Sequence, residues 1–349
     1  MSKKNWLIIV ASISLTLLLF VGALNYIIDP LQHYRKATWY KTCFCEDARY
    51  LNPGLAKNFE YDSIIIGTSM SDNFVPSYID KKLKVRVLKL SMQGASAYEE
   101  NRMMDTAIHT GKVRNIIFGL DVFSFIGDPK RLYYGEGSMP FHLYDESYLN
   151  DYKYLFNFDT LMNQSRHSLA ANFFNRKDKL EIDVAYNWNK YFTFSKENAV
   201  KDWRKMNIMK KRDVEKYRFA VLRKSFDQNI MPHIKNNPQI KFSIFYPPYS
   251  ILTWVDISEK GFLEDALYFN NYVFEATRQF KNVKIFNFQD ASNITHNLDN
   301  YKDVNHYSQA INEFIIDSIA KDAYLMTDEN AEVHFKRLRE QIKGYELNL

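Results

Sequence analysis

The chain has 349 residues, 46% of them hydrophobic and 16% aromatic, with 24 Tyr and 26 Phe; this is enough apolar material for a large core and too much for a disordered protein. The formal net charge is only +5, with no long block of one sign and no zinc-finger spacing, so nucleic acid is excluded as the expected partner. The mild basic balance leaves open an attraction to an anionic membrane surface or wall polymer.

Residues 1–5, "MSKKN", form a short tip ahead of residues 6–28, "WLIIVASISLTLLLFVGALNYII", which carry no charged side chain. About 20 apolar residues cross a hydrocarbon core of roughly 30 Å, so this stretch reads as a transmembrane helix. Lys3 and Lys4 precede it and nothing comparable follows directly, which keeps the amino terminus cytoplasmic and the rest of the chain outside the plasma membrane. Val21-Gly22-Ala23 resembles a signal-peptidase site, but the apolar stretch is long for a cleaved signal, and an uncleaved single-pass anchor is expected. Trp6 and Tyr26 sit where interfacial aromatics belong.

Residues 29–58, with Pro30, Pro53 and Gly54, read as a connector. Cys43 and Cys45 occur as "CFC". Export permits pairing, a ring closed over one residue is strained, and free thiols or an intermolecular link are equally open. They are assigned no chemistry. No histidine has metal-ligand spacing, and neither a metal nor a cofactor is expected.

A domain over 59–325 is expected next. "SIIIG" (63–67) and "VRVLKLS" (85–91) read as buried strands, followed by a helix over 96–111 with Ser96 and Glu99 as a capping box and Gly111 at its end. "VRNIIFGLD" (113–121) is a third strand. Aromatic and charged segments from about 127 to 235 read as a helical insertion. The rhythm resumes with a strand at 240–248, a helix near 260–279, a strand at 283–288 and a helix over 309–326. The tail, 326–349, reads as an amphipathic helix with few anchors. This alternation predicts an α/β fold with a doubly wound parallel sheet.

In such a sheet ligands bind beyond the carboxyl ends of the strands. Ser69 follows the first strand, Gly94 the second and Asp121 the third, while Asp303 and His306 precede the last long helix. A serine hydroxyl needs a base to take its proton, and the base needs a group to orient it. Ser69, His306 and Asp303 supply these types, and D-x-x-H spacing lets the carboxylate hold one imidazole nitrogen while the other faces the serine. The backbone N–H groups of Ser69 and Gly94 are the expected oxyanion donors. Tyr246, in "FYPP", is a lesser candidate for an acyl pocket.

The order Gly67-Thr68-Ser69, Gly94, Gly119-Leu120-Asp121 and Asp303-Val304-Asn305-His306 resembles the SGNH (GDSL-like) hydrolase superfamily over roughly residues 59–325, the insertion aside. The resemblance implies a flavodoxin-like three-layer α/β/α fold and ester hydrolysis or acyl transfer through an acyl-serine. It departs at Asp121, where many members have an oxyanion-donating asparagine. Asp121 is then either protonated or an acceptor for the turn at Ser69, supporting the serine from behind. With the single span, "YDSIIIGTSMSDNF" and "GLDVFSF" resemble the accessory proteins of lipoteichoic-acid D-alanylation and exopolysaccharide O-acetylation. That likeness implies a cell-envelope polymer as substrate and a multi-spanning membrane-bound O-acyltransferase as partner. The competing class is a catalytically weak or inactive SGNH-like module that binds polymer or scaffolds the acyltransferase.

Overall fold

A computed structural model of the chain describes residues 1–208 and 213–346; residues 209–212 of the expected insertion and 347–349 of the expected tail lie outside the described residues. Two compact units emerge, one from residues 1–59 and 139–185 and one from 60–138 and 186–349. The expected insertion is therefore shared between them.

The first unit is helical. Helix α1, Lys3–Ile28, is long and apolar enough to cross a membrane. Its residues up to Phe20 are exposed, and only Gly22, Asn25 and Ile28 are buried. Asp29 ends it in the left-handed region at φ 48°. The Asp29 carboxylate then organises the exit turn, accepting from the backbone N–H of His33 and Tyr34 (2.9 Å each) and Arg35 (3.1 Å), and from the Tyr154 hydroxyl at 2.9 Å.

The connector contains a helix that the sequence reading lacks, α2, Ala48–Asn58, with Pro53 inside it. Proline removes the N–H that would bond the carbonyl of residue 49. The Tyr144 hydroxyl supplies that bond, donating to the Arg49 carbonyl at 2.8 Å. Gly54 is needed because a Cβ there would collide with the backbone of Leu31 and Gln32. Cys43 and Cys45 are joined as a disulfide, with Cys43 buried against Ala171 and Leu180.

The second unit carries a five-stranded sheet, parallel throughout, in the order β2-β1-β3-β4-β5. The strands are β1 Ser63–Ile66, β2 Val87–Lys89, β3 Asn115–Gly119, β4 Lys241–Tyr246 and β5 Val283–Asn287. Ile64 pairs with Ile116, Phe118 with Ile244, and Phe245 with Phe286, so the centre of the sheet is apolar on both faces. Helices flank it. α3, Pro76–Leu83, starts on its proline, and α4, Ala97–His109, carries the predicted capping box, with Ser96 N–H donating to Glu99 at 2.8 Å. Helix Gln309–Ile319 stops short of the predicted length at a turn where Asp322 and Tyr324 take positive φ. Helix Ala331–Lys343 has more anchors than its sequence suggests: Phe335, Leu338 and Ile342 are buried, and His334 and Arg337 both reach Asp290 at 2.9 Å.

Candidate active site

β1 runs into Gly67, at φ +150°, where a Cβ would meet the Ser71 hydroxyl at 2.5 Å. The next residues form a tight 3-10 turn, Ser69–Ser71, with Thr68 as its cap. The turn is tied down on several sides. The Thr68 hydroxyl donates to Asp121 (2.8 Å), the Asn312 amide to the Met70 carbonyl (3.2 Å), and Trp188 Nε1 to the Ser69 carbonyl (3.3 Å). Lys89, itself buried, donates to the carbonyls of Asp72 and Phe74. The Ser69 hydroxyl is thus held on a rigid support at the carboxyl end of the sheet.

Ser69 Oγ lies 2.8 Å from His306 Nε2, and His306 Nδ1 lies 2.8 Å from an Asp303 carboxylate oxygen. The other Asp303 oxygen accepts from the backbone N–H of Asn305 (2.9 Å) and His306 (2.8 Å), which fixes its direction. Lys302 pairs with Asp303 at 3.1 Å and stands over the rings of Trp188 and Phe192, 4.6 and 4.2 Å from their centroids. Burial alone would raise the Asp303 carboxyl; the hydrogen bond and charge of His306, then the charge of Lys302, pull it well below the usual carboxylate range. Asp303 therefore stays ionised beside the imidazole. Trp188 meets the His306 ring edge-on at 5.5 Å and fixes its orientation further.

Gly94 sits at φ +64° and lines, with Ser69, Asp121 and His306, a cavity of about 210 Å³. A Cβ at Gly94 would meet the Tyr133 ring at 2.5 Å. Asp121 follows the second of the two alternatives raised by the sequence. Its carboxylate accepts from Thr68, from the Tyr249 hydroxyl at 2.5 Å and from the Phe123 N–H at 3.0 Å, bracing the serine turn from β3. Burial, then the Asp121 charge, pushes the Tyr249 hydroxyl well above its ordinary value, so it remains a donor. Behind the cavity Glu100 is fully buried. Burial, then the charges of Asp121 and Glu99, raises its carboxyl well above the ordinary value.

The structure therefore brings together Ser69, Asp303, His306, Gly94 and Asp121. Tyr246 is corrected: it is buried with its hydroxyl donating to the Asn270 carbonyl at 2.7 Å, because the strand alternation turns it away from the rim, and Tyr249 faces the cavity instead. Trp188, Tyr133 and Lys302 were not singled out from the sequence. The one available signal was Lys302 directly preceding the D-x-x-H.

No protein-family model matches the chain, and no curated protein matches it by sequence. The chemistry of the site rests on its own geometry.

Proposed function

We propose that the chain is an extracytoplasmic, membrane-anchored serine acyltransferase or esterase of the SGNH type, acting on a cell-envelope polysaccharide or teichoic acid. The observation that carries this reading is the unbroken series of Asp303 carboxylate, His306 imidazole and Ser69 hydroxyl, with 2.8 Å at each junction. The strand order supports the finer fold assignment, since β2-β1-β3-β4-β5 is the flavodoxin-like order. Lys3 and Lys4 before α1 support a cytoplasmic amino terminus and an external domain. A membrane-bound O-acyltransferase is the proposed partner.

In the proposed reaction Ser69 Oγ bonds to the acyl carbon as its proton passes to His306 Nε2, while Nδ1–H stays on Asp303. The backbone N–H groups of Ser69 and Gly94 stabilise the oxyanion. The acyl C–O bond then breaks, the leaving oxygen takes the proton from Nε2, and an acyl-serine remains. A polymer hydroxyl, or water, reverses these steps and carries the acyl group away. Asp121 is not asked to donate to the oxyanion. Its role is to hold Thr68, and through it the turn.

Asp121 in place of an amide donor favours the second reading, a non-catalytic module that binds polymer or scaffolds the acyltransferase. A serine-reactive fluorophosphonate separates the two. It should label the wild-type chain and leave Ser69→Ala blank; folded wild type that takes no label overturns the enzyme and supports the module.

A further inference from the structure

We infer that segment 152–162 of the helical unit is itself seated in the outer edge of the lipid bilayer, against the end of α1. The inference rests on reading α1 as a membrane span. Twenty-six residues at about 1.5 Å each make a helix of roughly 39 Å, against a hydrocarbon core of roughly 30 Å. With Lys3 and Lys4 at the inner edge, about 20 further residues bring the outer edge to the level of residues 22–25.

At that level α1 is packed by its own chain. The fully buried Asn25 amide donates to the carbonyls of Leu155 (2.8 Å) and Asn157 (2.9 Å). One turn deeper the Phe156 ring rests on Gly22, where a Cβ would approach it to 2.6 Å. The backbone of 155–157 therefore lies beside the last two turns of the apolar helix. Carbonyls at such a depth need an internal donor, since little water reaches them, and a polar side chain in an otherwise apolar span is explained by that need.

The side chains around this clamp point to lipid. Tyr152 is 56% exposed, Phe156 40%, Phe158 63% and Met162 45%, and Tyr26 and Ile27 of α1 itself are exposed as well. Aromatic rings concentrated at the bilayer–water boundary are the usual anchors there, and an apolar patch continuous with a span is solvated by the same phase. The helical unit would thus grip the membrane through α1 and, beside it, through a short re-entrant collar.

The full chain in phosphatidylcholine nanodiscs tests this, with the Cys43–Cys45 disulfide left oxidised and one spin label at a time on Leu17→Cys, Phe158→Cys or Lys336→Cys. The ratio of collisions with oxygen to collisions with a water-soluble nickel chelate should be severalfold higher at 17 and 158 than at 336. If 17 reads lipid while 158 reads like 336, the collar is overturned and the span stands. If 17 also reads like 336, the span reading fails and the collar with it. Met162→Cys reads the same surface should Phe158→Cys not fold.

Discussion

The sheet unit and the helical unit are stabilised in different ways. In the sheet unit the carboxyl halves of the central strands are apolar and buried, and the polar groups of the site stand beyond their ends, where they add little to the core. In the helical unit single polar side chains hold distant backbone: Asn25 to residues 155 and 157, Tyr154 to Leu31, and Tyr144 to Arg49. Substituting a site residue in the first should change chemistry and spare the fold. Substituting a polar residue in the second should loosen the fold and spare the chemistry.

The sharpest test is Ser69→Ala, which should lower turnover of an activated ester by about 10⁴-fold or more while leaving the melting temperature within a degree or so of wild type. A large loss of stability would break the contrast. Next comes Asp303→Asn, which should cost about 10³- to 10⁴-fold in kcat by freeing the imidazole to turn and to hold the wrong proton. Steady-state kinetics on the same ester would measure it. On the other side, Asn25→Leu strands two carbonyls and should destabilise the helical unit by about 1–3 kcal/mol. Faster proteolysis between residues 150 and 158, with fluorophosphonate labelling of Ser69 retained, is the expected pattern.

The smallest effect concerns Glu100, whose carboxyl titrates well above its ordinary value in the fold. Between those two values the folded chain keeps a proton that the unfolded chain has shed, so stability falls as pH rises through that window. Glu100→Gln removes the penalty. Its melting temperature should match wild type near about pH 4 and exceed it increasingly towards neutrality. A constant difference across that range would show that the change acts through packing instead.

The same contrast explains what could be read from the sequence. Apolar runs bounded by glycine or proline identify β1, β3 and β4 within a residue or two, and the capping box identifies α4, because these signals are local. The serine and Gly94 were legible because they follow predicted strands, and the D-x-x-H because it precedes a predicted helix. Trp188 and Tyr249 were not, since their partners Ser69 and Asp121 are 119 and 128 residues away. α2 was hidden by Pro53, which argues against a helix until Tyr144 is seen supplying the missing bond. The division of region 127–235 between two units was not read from the sequence, although the charge balance turns from acidic over 139–185 to basic over 186–235.

Asn25 also sets an order of events during synthesis. Its acceptors are made 130 and 132 residues later, after β1, β2 and β3 have already left the ribosome. Until then the amide lacks these acceptors, and the emerging strands are tethered to an apolar helix whose docking surface is incomplete. Closure of that long excursion comes late in synthesis, so a polypeptide truncated anywhere before residue 155 would keep its asparagine uncovered.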